Sequence, residues 1–363
     1  MGSPIPHALC ALSATEGGTI FCAEGNPLKI GKTIWRLKRN KIFLAILLML
    51  APAIPRSVCA QTLSYTDKLG RKIDLAVPAR RAVILQLYEF LPALHCWDRV
   101  AGVGRYAYQN DLVIAALPDI STRIPSVGSG SDLNTEALLK LKPDVVVTWT
   151  YKPENIQFMQ AKGLKVIVVY PDTLPELYDL VRLQGRIFQR EAQAQNTITQ
   201  MDEIIRLVQA RSSRIPSDRR KKVLWLYGRE NEVAGDADLT GNLLNLIGGR
   251  NVAGSFPQRT ADVSIETIIG WNPDVIFIWG NARFNAQNLL SSPQWRHVKA
   301  VREGQVFKLP EWSIWSPRLA PIALWMAIKT YPDLYRDVDL MATTDRFYRK
   351  VFGFPLRKAP TGF

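Results

Sequence analysis

From Arg81 onward, short β-branched runs alternate with stretches whose apolar residues recur every three or four positions. The runs "RAVILQL", "VAGVGRY", "PDVVVTW" and "KVIVVYP" read as strands, with "TEALLKL" and "ENIQFMQAKG" as helices between them. Strand, helix, strand in this rhythm predicts α/β architecture built on parallel sheets. Between Pro175 and about Arg211 the only Gly is Gly185, no further Pro follows, and Leu177, Leu180, Val181, Leu183, Ile198, Met201, Ile204, Ile205 and Val208 keep helical spacing. One long helix, or two end to end, is predicted; about twenty helical residues rise roughly 30 Å, enough to bridge two lobes. "SSRIPSDRRKK" interrupts the pattern, and a second series follows: "VLWLYGR", "LLNLIGGRNVAG", "VSIETIIGWNPDVIFIWG" and "GQVFKLP". Two closing helices are predicted from Pro317 to Tyr331 and from Asp339 to Phe352.

The two series share a unit. "NTEALLKLKPDVVVTW" (134–149) returns as "SIETIIGWNPDVIFIW" (264–279) at a constant offset, preserving Glu136/Glu266, Pro143/Pro273, Asp144/Asp274, Val145/Val275 and Trp149/Trp279, with Asp132/Asp262 just upstream. Such self-similarity signals internal pseudo-symmetry. Each copy is a helix with an apolar inner face (Leu138, Leu139, Leu141; Ile268, Ile269, Trp271), a Pro-Asp stop and a strand ending in Trp. The expected fold is therefore two similar parallel-sheet lobes joined by a long interlobe helix. Its divisions are an N-terminal extension with a cleaved signal over 1–60, a first lobe over 61–172, the interlobe helix over 173–215, and a second lobe with closing helices over 216–363.

Residues 1–60 stand apart. Lys38, Arg39 and Lys41 precede "IFLAILLMLA", an apolar run too short to span a bilayer, and Pro52, Pro55 and "SVCA" follow it. This reads as a secretory signal cleaved near Ala60, with a mature chain from Gln61. Lipid attachment at Cys59 is the competing reading, against which Arg56 and Val58 stand where a lipoprotein signal wants Leu-like and small residues. Residues 1–33 extend the n-region well beyond its usual length, as a start codon placed too early would produce. After Ala60 a single cysteine remains, Cys96, so no internal disulfide is available. Charge there is 39 Lys and Arg against 30 Asp and Glu, a spread excess of about +9 that suits an anionic ligand or membrane surface and offers no basic tract for nucleic acid.

"VGSGSDLNTEALLKLKPDVVV", "DLTGNLLNLIGGRNVAG", "VSIETIIGWNPDVIFIWG" and "WSPRLAPIALWMA", in this order and spacing, resemble the substrate-binding proteins of ABC importers for iron–siderophore, haem, cobalamin and, in some members, molybdate or tungstate. The resemblance spans essentially the whole mature chain. It implies a monomeric periplasmic binding protein of the helical-linker class without a cofactor of its own, whose ligand sits between two lobes. It further implies that one surface Glu on each lobe, here Glu136 and Glu266, docks onto the permease, whose ATPase drives transport. Each Glu also favours the first turn of its helix on electrostatic grounds alone.

Ligands of open α/β sheets bind beyond the carboxyl ends of strands. The loops there hold Tyr88 and Glu89; Arg105, Tyr106 and Tyr108; Ser129 to Asp132; Trp149 and Tyr151; Tyr227 and Arg229; Asp236; Trp279 and Asn281; Trp312 and Trp315. Aromatics suit a broad metal chelate, and Arg105, Arg229 and Arg318 suit its carboxylates or phosphate. Two ligand classes stay open: a siderophore, haem or corrinoid complex, or an oxyanion held in a backbone nest at "GSGSD" with Ser129 and Ser131 as donors. Gly130 stands where the cobalamin binders carry an aromatic. A secreted two-lobed enzyme is the reading from another class. Against it, the three histidines include His7 in the leader, His95 is expected in the core and His297 on a surface helix, and neither a metal-ligand spacing nor a hydrolase triad assembles.

Overall fold

The computed structural model describes residues 61–149 and 152–357. The signal segment, Cys59 and Tyr151 lie outside these residues. In chain order the elements are β1 (Gln61–Thr66), β2 (Lys72–Val77), β3 (Ala82–Ile84), α1 (Phe90–Leu94), β4 (Val100–Val103), α2 (Asp111–Ala116), α3 (Ile120–Arg123), α4 (Thr135–Lys140), β5 (Val145–Thr148), α5 (Pro153–Ala161), β6 (Val166–Val168), α6 (Leu174–Phe188) and α7 (Glu191–Ser212). The second series holds β7 (Lys222–Leu226), β8 (Glu232–Ala234), α8 (Leu239–Leu246), β9 (Arg250–Asn251), β10 (Thr260–Asp262), α9 (Ile265–Trp271), β11 (Val275–Ile278), α10 (Ala286–Leu290), α11 (Lys299–Arg302), β12 (Val306–Lys308), α12 (Leu319–Thr330) and α13 (Leu340–Phe352). The hairpin β1–β2 was not anticipated, although its alternation and Gly70 were available as signals. Asp67 closes its turn by accepting the N–H groups of Leu69 (3.0 Å) and Arg71 (3.1 Å), and accepts Val168 N–H (3.2 Å) to fasten it to β6.

The first sheet has the order β4-β3-β5-β6, all parallel. In the second, β7, β11 and β12 are parallel, β9 pairs with β7 on the side away from β11, and β8 and β10 extend that side antiparallel. Both sheets thus place their first strand between the second and third, so connections reverse direction at β3/β5 and at β7/β11, where a parallel sheet opens a crevice. The repeated residues explain the matching geometry. Asn134 and Ser264 cap α4 and α9 by accepting N–H bonds from Ala137 (3.0 Å) and Thr267 (3.2 Å). Asp144 accepts the N–H groups of Arg80 and Arg81 (2.5 and 3.1 Å), and Asp274 that of Lys222 (2.7 Å), so each Pro-Asp stop anchors its strand to the start of the neighbouring one.

The stretch read as one long helix, or two end to end, is two helices, and they do not run end to end. Gln189 adopts the left-handed conformation (φ 49°, ψ 55°) and ends α6. The chain then folds back, bringing Gly185 against Ala194 and Tyr178 into the field of Asp202 and Arg206. A straight helix would separate Tyr178 from Asp202 by about 36 Å. The long interlobe helix is therefore α7, 22 residues, packed against α6, α12, α13 and α1. The final helix returns to the first half: α13 lies on α1 and α7, and Tyr348, Phe352 and Phe354 form an aromatic cluster there. A continuous core runs from Leu63 to Phe352 through both halves, and the described residues form one compact unit. None of their helices is long and apolar enough to cross a membrane.

Cys96 is fully buried, and burial pushes its thiol up to about 12, which makes it inert. His95 is not in the core: it is exposed, in left-handed conformation at the end of α1. His297 is exposed in a turn, not on a helix.

Candidate functional site

Aromatic residues that end strands form one group in each half, and a Trp of the second series reaches the group of the first. Trp149 follows β5 and Tyr170 lies beyond β6; their ring centroids are 5.2 Å apart. Trp315, from the loop after β12, reaches across to both, at 5.4 and 5.9 Å. On the second sheet Tyr227 and Trp279 follow β7 and β11 at the switch point, 6.1 Å apart. Arg259 closes the group from the other side, its guanidinium 4.1 Å from the centre of the Tyr170 ring. Its fork binds Asp172 Oδ1 through Nη2 (2.8 Å) and Nε (3.1 Å). Burial pushes the Tyr227 hydroxyl well up, with Asp238 adding to the effect. That hydroxyl lies 3.1 Å from Asp238 Oδ2 and 2.5 Å from Thr240 Oγ1. Asp238, itself pushed up by burial, also caps α8 through Thr240 N–H (2.8 Å).

A buried ion network ties the halves together. Arg318 is fully buried, and its fork meets Glu89 (Nη2–Oε1 2.6 Å, Nε–Oε2 2.9 Å) while Nη1 reaches Asp111 Oδ1 (2.7 Å). Trp312 Nε1–H donates to Asp111 Oδ2 (3.1 Å), and the Arg318 guanidinium lies 4.9 Å from the Trp312 ring. Arg318 is thus committed to carboxylates of the protein. Tyr88, half-buried next to Glu89, has its hydroxyl pushed up by burial.

The other predicted residues gather at the strand-end rims. Arg105 pairs with Asp132 (2.7 Å) over the exposed Tyr106 ring, and Arg229 pairs with Asp262 (2.7 and 2.8 Å). The repeated Asp therefore holds one exposed Arg in each half. Tyr108 donates its hydroxyl to Ile124 O (2.7 Å). In "GSGSD", Ser129 N–H donates to Asp132 O (2.7 Å) and Asp132 N–H to Ser129 Oγ (3.1 Å), while the exposed Ser131 Oγ lies 3.1 Å from Ser129 Oγ. Two N–H groups of the expected nest are spent within the turn, beside an exposed carboxylate. Glu136 and Glu266 both project into solvent from the first turns of α4 and α9. Glu136 is bonded to Lys140 (2.7 Å), and backbone and Ser264 hydrogen bonds hold the Glu266 carboxyl below its ordinary value. Because each helix precedes a strand it runs antiparallel to, its start lies at the crevice side of its sheet.

Tyr170, Asp172, Asp238 and Arg259 were not singled out in the sequence. Tyr170 directly follows "KVIVV", so the strand-end rule that found Trp149 covers it as well; Asp238 lies two residues past the named Asp236. Arg259 sits in an irregular stretch before β10 and carries no local signal. Among the described residues no three His, Cys, Asp or Glu side chains are grouped to hold a metal ion.

Two topologically equivalent α/β halves, a helical link and an aromatic crevice between sheets define a bilobal binding protein. The chain belongs to the Periplasmic binding protein family, whose model matches residues 86–312. The molybdate-binding protein MolA of Haemophilus influenzae is 24% identical over 328 residues, covering 79% of this chain and 90% of MolA. The high-affinity heme uptake system protein IsdE of Staphylococcus aureus is 26% identical over 204 residues, 54% of this chain and 69% of IsdE. Among solved structures, the Ni-His complex of Helicobacter pylori CeuE superposes with a TM-score of 0.74 at 27% identity, covering 82% of this chain and 97% of CeuE.

Proposed function

We propose that this protein is the periplasmic substrate-binding component of an ABC importer, capturing an iron complex (siderophore or haem) or a corrinoid and delivering it to the membrane permease. The observation that carries the ligand class is the Trp149–Tyr170–Trp315 cluster, with Tyr227 and Trp279 paired at the strand ends of the second sheet. Broad aromatic faces cover a large chelate without demanding fixed hydrogen bonds. Delivery uses Glu136 and Glu266, the repeated acidic residues that stand exposed at the crevice side of each half, as handles for a two-fold symmetric cationic partner. Export through the segment ending near Ala60 and action as a monomer complete the reading, with lobes over 61–172 and 216–363. Energy comes from the partner ATPase, and the ligand leaves chemically unchanged.

A second reading, capture of molybdate or tungstate, is favoured by the extent of the match to MolA and by Arg259 at the crevice. Tryptophan fluorescence of the chain from Gln61 separates the two, since nine tryptophans lie beyond that point. Saturable quenching by haemin, a ferric siderophore or cobalamin, with oxyanions silent, supports the first reading. A response to molybdate or tungstate alone replaces it with the second, and turnover of any of these compounds sinks both.

A further inference from the structure

We propose that Arg259 is the residue that reads negative charge on the ligand, parked on Asp172 and Tyr170 until an anionic group replaces the carboxylate. The proposal rests on the binding function above and deepens it.

Four arginines stand at or near the crevice, and each is bound to a carboxylate. Arg318 cannot leave its partner without stranding Glu89 in a buried site, while Arg105 and Arg229 pair with the exposed Asp132 and Asp262 at the rims. Asp172 differs because Lys68 Nζ already occupies its Oδ2 at 2.9 Å while Arg259 takes Oδ1. When Arg259 turns away, Asp172 keeps a cation. The Arg259 side chain is 43% exposed and Asp172 21%, so the pair is weakly held and both ends are quickly resolvated.

The surroundings point to what Arg259 turns toward. Its guanidinium lies on the Tyr170 ring, and the same ring touches Trp315. The Trp315 indole N–H is buried and meets no acceptor among the described residues. A buried donor without an acceptor is uncommon in a native fold. A two-pronged cation and an unused N–H on one aromatic ring suit a carboxylate or oxyanion whose remainder lies against the rings.

The test compares Arg259→Gln, Arg259→Lys and Asp172→Asn with the parent chain, titrating haemin and molybdate as anionic probes and cyanocobalamin as a neutral one. Arg259→Gln should raise the Kd of whichever anion binds by about 10-fold or more, as loss of a charge-assisted fork does, and leave cyanocobalamin within about 2-fold. Arg259→Lys should recover only part of the loss, and Asp172→Asn, which frees the fork, should tighten anion binding. Equal anion affinity in Arg259→Gln and the parent overturns the proposal alone. So does equal weakening of anionic and neutral ligands, the mark of a merely structural residue, and so does binding of cyanocobalamin only. A parent chain that binds none of the three, and no ferric siderophore or tungstate either, overturns the binding reading itself.

Discussion

Arg318 and Glu89, 229 positions apart in the chain, meet through two hydrogen bonds of 2.6 and 2.9 Å in a site closed to water. Asn110 donates a third bond to the Glu89 carboxylate at 2.8 Å, so the pair is well satisfied. Its geometry offsets the desolvation of both charges; Arg318 also holds Asp111, whereas Glu89 has no second cation among the described residues. Arg318→Met should therefore cost about 3–5 kcal/mol by leaving Glu89 buried without a cation. Glu89→Gln in the same chain should recover part of that loss. Urea midpoints for the parent and the two variants check this, and a cost under about 1 kcal/mol for Arg318→Met would mean that water reaches Glu89.

The turn between α6 and α7 depends on close approach at Gly185. A Cβ there would lie 2.6 Å from the Cβ of Ala194. In an open helix, Gly→Ala gains about 1 kcal/mol from propensity. Here overpacking of about 1–3 kcal/mol opposes that gain, and Gly185→Ala should be net destabilising. Ala194→Gly added to it should restore part of the loss, a coupling that thermal melts of the double-mutant set will reveal.

Glu136→Arg combined with Glu266→Arg should leave ligand affinity within about 2-fold, because both side chains stand in solvent away from the aromatic cluster. Delivery to the permease should fall by at least about 10-fold, with either single reversal intermediate, as charge reversal at a docking rim produces. Vesicle uptake with the cognate importer measures it. Undiminished uptake by the double variant would leave both residues only their favourable place in the first turn of a helix dipole.

Acid should weaken the strand anchors. Burial by itself would raise the Asp274 carboxyl, but hydrogen bonds from Lys299 Nζ and Lys222 N–H outweigh it and hold the group below its ordinary value. Asp67 is lowered likewise, against burial, by Arg71 and by the N–H groups of Arg71 and Val168. A carboxyl lowered in the folded state contributes stability that is complete above its unfolded value, near pH 4, and is lost as pH falls through the folded value. Asp274→Asn should therefore be less stable than the parent at pH 7, and the difference should shrink as pH falls below about 4. Denaturation midpoints across that range decide it; a constant difference at every pH would contradict the assigned shift.

Much of the fold was legible because it depends on local spacing. The β-branched runs and the Pro-Asp stops each act within a few residues, and the duplication of Asp144 as Asp274 exposed the internal symmetry before any contact was known. Trp149, Trp279 and Trp315 could be picked out for the same reason: a strand's end is visible in its own sequence. Gly185 shows the limit. Helical spacing continued on both sides of it, and the reversal at Gln189 depends on a left-handed residue and on packing against Ala194, neither of which alters the periodicity.

The sequence by itself determined the two α/β series, the repeated helix-and-strand unit, the exposed Glu136 and Glu266, and the strand-end aromatics. Only the tertiary structure decided that Arg318 is bound to Glu89 and Asp111, that Ser129 and Asp132 spend their N–H groups on one another, and that Arg259 reaches Asp172 and Tyr170. Periodicity records which face of an element avoids water. Which carboxylate an arginine meets depends on how distant elements pack, and a long cationic side chain looks the same in the sequence whichever partner it finds.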